Sequence, residues 1–345
     1  MEKITINTPG FRSDILVGKR WDSVAGLLPE EGIIIITDDN VNRLYGDRFP
    51  KIPVFSLLPG EESKKLEVIE HLAEQLIQAG IDRSGFVLAV GGGVVCDIAG
   101  FLASVYMRGI RCGYISSTLL SQVDASTGGK NGVNLGGTKN MLGTIRQPEF
   151  VICDPEMLQT LPEHEYLSGL AELIKTAVIG DKELFELIEK SFDKIMLKDT
   201  DLLTILVAKS VRFKGLVVSD DEKETGLRRI LNFGHTFGHA IEMQKGVTHG
   251  FAVASGIVLA TEFSFKRGYI NLDDKERIIR LLERFNLVDN LDLTDNQMEK
   301  LVRNDKKKTG TDIHFDFTQG IGKAIVEKVP VDDVLGFYKK FRDKK

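Results

Sequence analysis

The stretch "LNFGHTFGHAIEMQKGVTHG", Leu231–Gly250, holds His235, His239 and His249, half of the six histidines in the chain. His235 and His239 stand four residues apart, so a helix over Thr236–Met243 puts both imidazoles on one face, where they can share a divalent ion. His249 follows closely, and glycines flank the group. Imidazole and carboxylate ligands suit zinc or a related transition metal, and no thiolate is at hand. A catalytic ion needs three protein ligands and an open position, which calls for a carboxylate from elsewhere. "GLAELIKTAVI" supplies one: Glu172 lies among Leu170, Ala171, Leu173 and Ile174, with Lys175 one turn later. Buried, such a carboxylate needs a cationic partner; on a surface, the same letters spell an ordinary i,i+3 ion pair.

A second chemistry is phosphate and ribose binding. "VLAVGGGVVCDIAGFLAS" reads as a buried strand, a turn at Gly91–Gly93 and a helix. Glycines lacking Cβ admit phosphate oxygens to the backbone, and a helix start offers free N–H groups and positive dipole. The GxGxxG fingerprint is absent, so a plain strand-to-helix turn is the competing reading. Asp97, one turn into the helix, can meet a ribose or another hydroxyl-bearing ligand. "ITDDNVN" and "PGEESKK" close two other strands, placing Asp38, Asn40, Glu61 and Lys64 where adenosine riboses are commonly met; helix caps would look alike.

The segment Ser117–Gly143, "STLLSQVDASTGGKNGVNLGGTKNMLG", is expected to be a long, polar, functional loop. Asp124, Lys130, Lys139 and Asn140 are its ligand-facing groups, with Lys130 set beside the bare backbone of Gly128-Gly129 for an oxyanion. Lys214, Arg228 and Asn232 precede the histidines, and "NDKKKTG" adds Lys306 and Lys307. Cations gathered near a metal in an acidic chain suggest a small anionic substrate.

The elements that position these groups follow from the apolar pattern. "GIIIIT", "IPVFSLL", "GFVLAV", "CGYISS" and "FVICD" are apolar runs without alternation, which predicts parallel strands covered on both faces. Ser63–Gly80 repeats apolar residues at helical spacing. After Pro155 the grammar turns to amphipathic helices in "ELFELIEKSFDKI", "DLLTILVAKSVRFKGLVV", "FAVASGIVLATEFSFKRG" and "DKERIIRLLERFNL". "IHFDF" and "GKAIVEKV" predict a small hairpin. The expectation is an α/β chain: a Rossmann-like parallel-sheet nucleotide-binding domain over 1–155 and a mainly helical metal- and substrate-binding domain over 156–345, with the active site in the crevice between them.

With 345 residues, 42% hydrophobic and 28% charged, the chain can bury two cores. A net charge of −5 argues against nucleic acid or an anionic membrane as partner. Cys96, Cys112 and Cys153 form neither a disulfide framework nor a CxxC site. The N-terminus lacks a signal peptide, and no apolar run spans a membrane, so a cytoplasmic protein is expected.

Taken together, "GGGVVCDIAGFLASVYMRGI", "STLLSQVDASTGGKNGVN", "GLAELIK", "DEKETGLRRILNFGHTFGHAIE" and "HGFAVASGIVLA" resemble the 3-dehydroquinate synthase family of sugar-phosphate cyclases over nearly the whole chain. The resemblance implies a bound NAD and a zinc ion, cobalt being an alternative, with Glu172, His235 and His249 as metal ligands. It moves His239 to the substrate site, alongside Asp124, Lys130, Lys175 and Asn232 as catalytic groups. Asn140, Lys214, Arg228 and one of Lys306 and Lys307 match substrate-binding positions. Arg108 matches an arginine lent across a homodimer to the substrate phosphate. Asp38, Asn40, Glu61, Lys64, Gly92, Gly93, Val94, Asp97, Ser117, Thr118, Lys139 and Thr160 match the NAD site.

The implied lyase reaction of the shikimate pathway converts 3-deoxy-D-arabino-heptulosonate 7-phosphate to 3-dehydroquinate and phosphate. It runs through transient oxidation of the C5 hydroxyl, phosphate elimination, re-reduction and an intramolecular aldol closure. The chain departs from the family's usual letters in "TKN" (Thr138–Asn140), at Cys96, and in "HGFA", where Phe251 replaces a carboxylate beside His249. The alternatives are a metal- and NAD-dependent polyol dehydrogenase, another cyclase such as an inosose or valiolone synthase, and a non-catalytic NAD-binding regulator.

Overall fold

The computed structural model describes residues 1–136, 138–288, 293–303 and 308–343. Its first strands are β1 (Glu2–Thr8), β2 (Phe11–Val17), β3 (Ile33–Asp38), β4 (Val54–Leu57), β5 (Phe86–Gly91) and β6 (Arg111–Ser116). There follow β7 (Lys130–Leu135), β8 (Thr138–Ile145), β9 (Phe150–Cys153), β10 (Lys308–Thr309), β11 (Asp312–Thr318) and β12 (Ala324–Pro330). The helices begin with α1 (Asp39–Tyr45), α2 (Leu66–Gln78), α3 (Gly93–Val105), α4 (Glu163–Gly180), α5 (Lys182–Lys190) and α6 (Phe192–Met196). They continue with α7 (Thr200–Asp220), α8 (His235–Lys245), α9 (His249–Lys266), α10 (Leu272–Arg284), α11 (Asp295–Arg303) and α12 (Val331–Arg342). Among the described residues no helix is long and apolar enough to cross a membrane.

The chain divides into two compact units, one of Met1–Leu161 with Lys198–Lys223, the other of Pro162–Leu197 with Glu224–Lys345. It therefore crosses after Leu161 rather than after residue 155. It also sends α7, expected in the second domain, back to the first. The reason is local: Gly215 of α7 lies against Ile4 and Ile6 of β1, which gives the helix its apolar footing.

In the first unit the strands run β1-β2-β9-β6-β5-β3-β4, all parallel except the antiparallel β1 at one edge. The unalternating apolar runs explain this arrangement, because every residue of β5 is buried. Asp38 ends β3, while Gly91 and Ser116 end β5 and β6 in register. These carboxyl ends share one edge, where α/β sheets receive ligands. The polar segment expected as a loop is ordered differently: a single π turn at Ser121–Ala125 and then the antiparallel β7–β8 hairpin. Val133 fills its inner face at 0% exposure, enough apolar content to anchor a ribbon that otherwise reads as loop.

In the second unit α4 is buried on all sides from Tyr166 to Ile179, the pattern of a central helix. α8 and α9 pack against one another, and α9 packs on α4. β11 and β12 form the expected hairpin; Phe315 and Phe317 of β11 meet Phe263 edge to face, and Phe263 stacks on Phe337. The single helix expected over "ELFELIEKSFDKI" breaks into α5 and α6 around Ser191.

Candidate functional site

Close packing of three helices builds the histidine cluster, and glycine makes that packing possible. Gly250 sits against the backbone of Ser168 on α4, where a Cβ would lie 2.1 Å from the Ser168 carbonyl oxygen. Its N–H donates to the Ser168 hydroxyl at 3.0 Å, pinning the start of α9 one turn before Glu172. Gly256 of α9 meets Gly234, where a Cβ would stand 2.0 Å from a carbonyl oxygen, and Gly234 itself has φ +80°. His235 comes straight after that left-handed residue and His249 opens α9, so both imidazoles are delivered to α4.

Glu172 Oε1 lies 3.5 Å from His235 Nε2 and 3.3 Å from His249 Nε2. Ligand atoms about 2.0–2.1 Å from a tetrahedral ion stand roughly 3.3–3.4 Å apart, so each imidazole stands at a zinc-ligand spacing from Glu172 Oε1. Both rings turn Nε2 inward because Nδ1 is occupied: His235 Nδ1 meets the Phe233 carbonyl oxygen at 3.2 Å, and His249 Nδ1 meets Glu242 Oε2 at 3.2 Å. Glu172 is 0% exposed, and its other oxygen lies 2.5 Å from Nζ of Lys175, itself buried.

Burial alone would raise the Glu172 carboxyl, but Lys175 and His249 hold it below its ordinary range. Burial alone would lower the His249 imidazolium, yet Glu172 and Glu242 raise it well above the usual range. The ligand atoms of Glu172, His235 and His249 all lie within 4.8 Å of one another, and His239 is not among them. The ring of His239 stands 5.1 Å from that of His235, edge to face. Sequence reading missed Glu242, and also Glu224, whose Oε1 accepts from the Asn232 amide at 2.5 Å while its backbone holds φ +58°. Arg228 of this unit is 1% exposed.

The first unit gathers the groups expected around a nucleotide. At the glycine turn the need is space rather than backbone angle: a Cβ on Gly91 would press Val95 at 2.6 Å, and one on Gly92 would meet Thr118 at 3.0 Å. Gly93 and Val94 then open α3 with unclaimed N–H groups. Asp97 Oδ2 accepts from Lys64 Nζ at 2.6 Å, and the same ammonium reaches Asn140 Oδ1 at 2.5 Å. Lys64 is almost wholly buried, and Glu61 lies 3.8 Å from it. Burial raises Asp97 to about 6, and Lys64 restrains the rise.

Other expected residues have structural duties too. Asp38 caps α1, accepting from the N–H groups of Asn40 and Val41, and burial raises its carboxyl. Thr160 shares a 2.6 Å hydrogen bond with Tyr45. Ser117 N–H donates to the Gly91 carbonyl, and Thr118 caps the π turn through Ser121. That turn carries Asp124, which accepts from Lys214 Nζ at 2.8 Å. Lys130 and Lys139 are exposed on the hairpin, Lys130 following Gly128 and Gly129 at φ +106° and +69°. Arg108 is exposed as well, with φ +68° after Met107 at +47°. Lys306 and Lys307 lie outside the described residues.

The family profile described as 3-dehydroquinate synthase N-terminal matches residues 54–168, and the one described as 3-dehydroquinate synthase C-terminal matches residues 169–308. A 3-dehydroquinate synthase of Alkaliphilus metalliredigens is 40% identical, with 94% of each chain covered. One from Dictyoglomus turgidum is 38% identical, with 99% of each covered. Among solved structures, a 2-epi-5-epi-valiolone synthase from Streptomyces hygroscopicus with NAD+ and Zn2+ bound superposes with TM-score 0.88 at 25% identity, covering 98% of this chain and 99% of that one.

Proposed function

The chain belongs to the 3-dehydroquinate synthase family, and on that premise we propose that it converts 3-deoxy-D-arabino-heptulosonate 7-phosphate to 3-dehydroquinate and phosphate. The observation that carries this reading is the convergence of Glu172 Oε1 with Nε2 of His235 and His249, beside the buried Lys175. When bound, NAD supplies a recyclable hydride acceptor, and zinc, or cobalt in its place, a Lewis acid for a substrate hydroxyl. The NAD+ and Zn2+ of the valiolone synthase support that pair.

The chain's own residues bind, orient and move protons. Glu172, His235 and His249 hold the ion, and Lys175 keeps Glu172 ionised in its buried setting. The α3 N-terminus at Gly92–Val94, with no side-chain cap, would offer its N–H groups to the cofactor's phosphates. Asp38, Asn40, Glu61, Lys64, Asp97, Ser117, Thr118, Lys139 and Thr160 hold the rest of the cofactor. Asp124 and Lys214 act as a fixed pair on the substrate, and Glu224 fixes the Asn232 amide so that its carbonyl oxygen is the group on offer. His239, outside the ligand set, exchanges protons with the substrate. Lys130, Asn140, Arg228 and Arg108 bind the carboxylate and phosphate, mostly through positioning and electrostatics. The setting is a cytoplasmic homodimer.

The test is phosphate release from the heptulosonate phosphate with zinc and substoichiometric NAD. Many phosphates per NAD, with no net gain at the NADH absorbance band, are expected. Stoichiometric NADH release would replace this reading with a polyol dehydrogenase.

A pH dependence follows from Asp97. Its folded value of about 6, against 3.8 for a free side chain, means the fold favours the protonated form. The stability it contributes is full below the unfolded value and lost as pH rises through the folded one. A ribose hydroxyl donates to the carboxylate, so NAD affinity should fall by up to about tenfold per unit as pH drops below that value. Titration calorimetry across this range should show the slope in the parent and its loss in Asp97→Asn. An unchanged slope in the variant would remove Asp97 from the cofactor site.

A further inference from the structure

We propose that Glu242 is a positioning residue of the metal centre, its carboxylate accepting the Nδ1–H of His249 and so committing Nε2 to the ion. The inference rests on the metal reading above. An imidazole can present either nitrogen, and which one faces an ion is set by the hydrogen bond the other makes. For His235 that partner is a backbone carbonyl, which mutation cannot remove. For His249 it is the Glu242 side chain, 3.2 Å from Nδ1, while Nε2 faces Glu172 Oε1 at 3.3 Å.

The geometry suits the task. Glu242 lies seven residues after His235 on α8, two turns along the same face, and its side chain is only 10% exposed. His249 is the first residue of α9 and its side chain is 30% exposed, its ring 5.5 Å from that of His235, so Glu242 is the side chain that engages its Nδ1. The residues next to it, Gly250 and Phe251, bring no carboxylate of their own.

The test measures zinc affinity of the purified, NAD-saturated chain by chelator competition, together with the visible spectrum of the cobalt-loaded form. Glu242→Ala should weaken zinc about tenfold to a hundredfold and shift the cobalt bands. Glu242→Gln keeps an acceptor oxygen and the side-chain volume, so it should fall between parent and Ala, with thermal stability near the parent's. Zinc affinity within threefold of the parent in both variants would overturn the inference. Should Glu242→Ala fail to fold, Glu242→Gln decides alone, and an unchanged affinity and spectrum there would equally overturn it. Glu172→Gln is measured beside them: if it too keeps zinc, the metal reading has failed, whereas loss there with retention in the Glu242 variants rejects the positioning role only.

Discussion

Glu172→Gln, His235→Ala and His249→Ala are each expected to lose zinc on purification, whereas His239→Ala keeps it and loses turnover. Zinc sites of four ligands bind with about 10–16 kcal/mol, so one ligand carries roughly 2.5–4 kcal/mol, or a hundredfold to a thousandfold in affinity. The i,i+4 pair alone would assign the ion to His235 and His239. The structure instead brings His249 and His235 to the same oxygen of Glu172, at 3.3 and 3.5 Å. Glu172→Gln carries a second penalty, because Lys175 would stay buried at 1% exposure without its counter-charge. Breaking such a pair costs about 3–5 kcal/mol, so this variant should also melt well below the others. Metal content by mass spectrometry and thermal melts of the four variants decide the matter. A metal-free His239→Ala would restore the two-histidine helix.

Why the pair misleads shows which features were legible in the sequence. Spacing within one helix is written in the letters; the approach of a second and third helix is not. The apolar runs of β3, β5, β6 and β9 announced a parallel sheet because both of its faces are covered, and period 3.6 announced α9 and α10. β1 escaped notice because it alternates along a half-exposed edge, and a short alternating run gives little apolar signal. The β7–β8 hairpin reads as loop because glycine, asparagine and lysine interrupt its letters and its apolar residues do not fall on one buried face: Val133 is buried, while Leu135, Met141 and Ile145 are exposed. Glu242 had no signal of its own, since its value depends on α9 folding back so that residue 249 faces residue 242. The glycines were the underused clue. Gly234, Gly250 and Gly256 stand where a methyl group would meet backbone within 3 Å, and their density around the histidines marks a place where helices nearly touch.

Single loss of Arg108 or Lys130 should weaken substrate binding about tenfold to a hundredfold, the worth of one charge-assisted contact to a buried anion at 1.5–3 kcal/mol. The reason to pair these residues is that both are held by unusual backbone. Met107 and Arg108 adopt φ +47° and +68°, and Lys130 follows two left-handed glycines. Left-handed non-glycine residues cost of order 1–3 kcal/mol each and persist where the fold gains something by presenting a side chain there. For Arg108 the proposed gain is reach: its exposed side chain follows the end of α3 and completes the phosphate site of a second copy. The consequence is complementation. Mixing Arg108→Ala with Lys130→Ala subunits gives random dimers of which half are mixed, and each mixed dimer contains one site with both residues intact. Activity at low substrate should then return to roughly a quarter of the parent's in a two-fold symmetric dimer. Subunit exchange is verified independently with differently labelled chains. If exchange is complete and the mixture is no more active than the average of its two components, Arg108 and Lys130 serve the same subunit and the shared site is wrong.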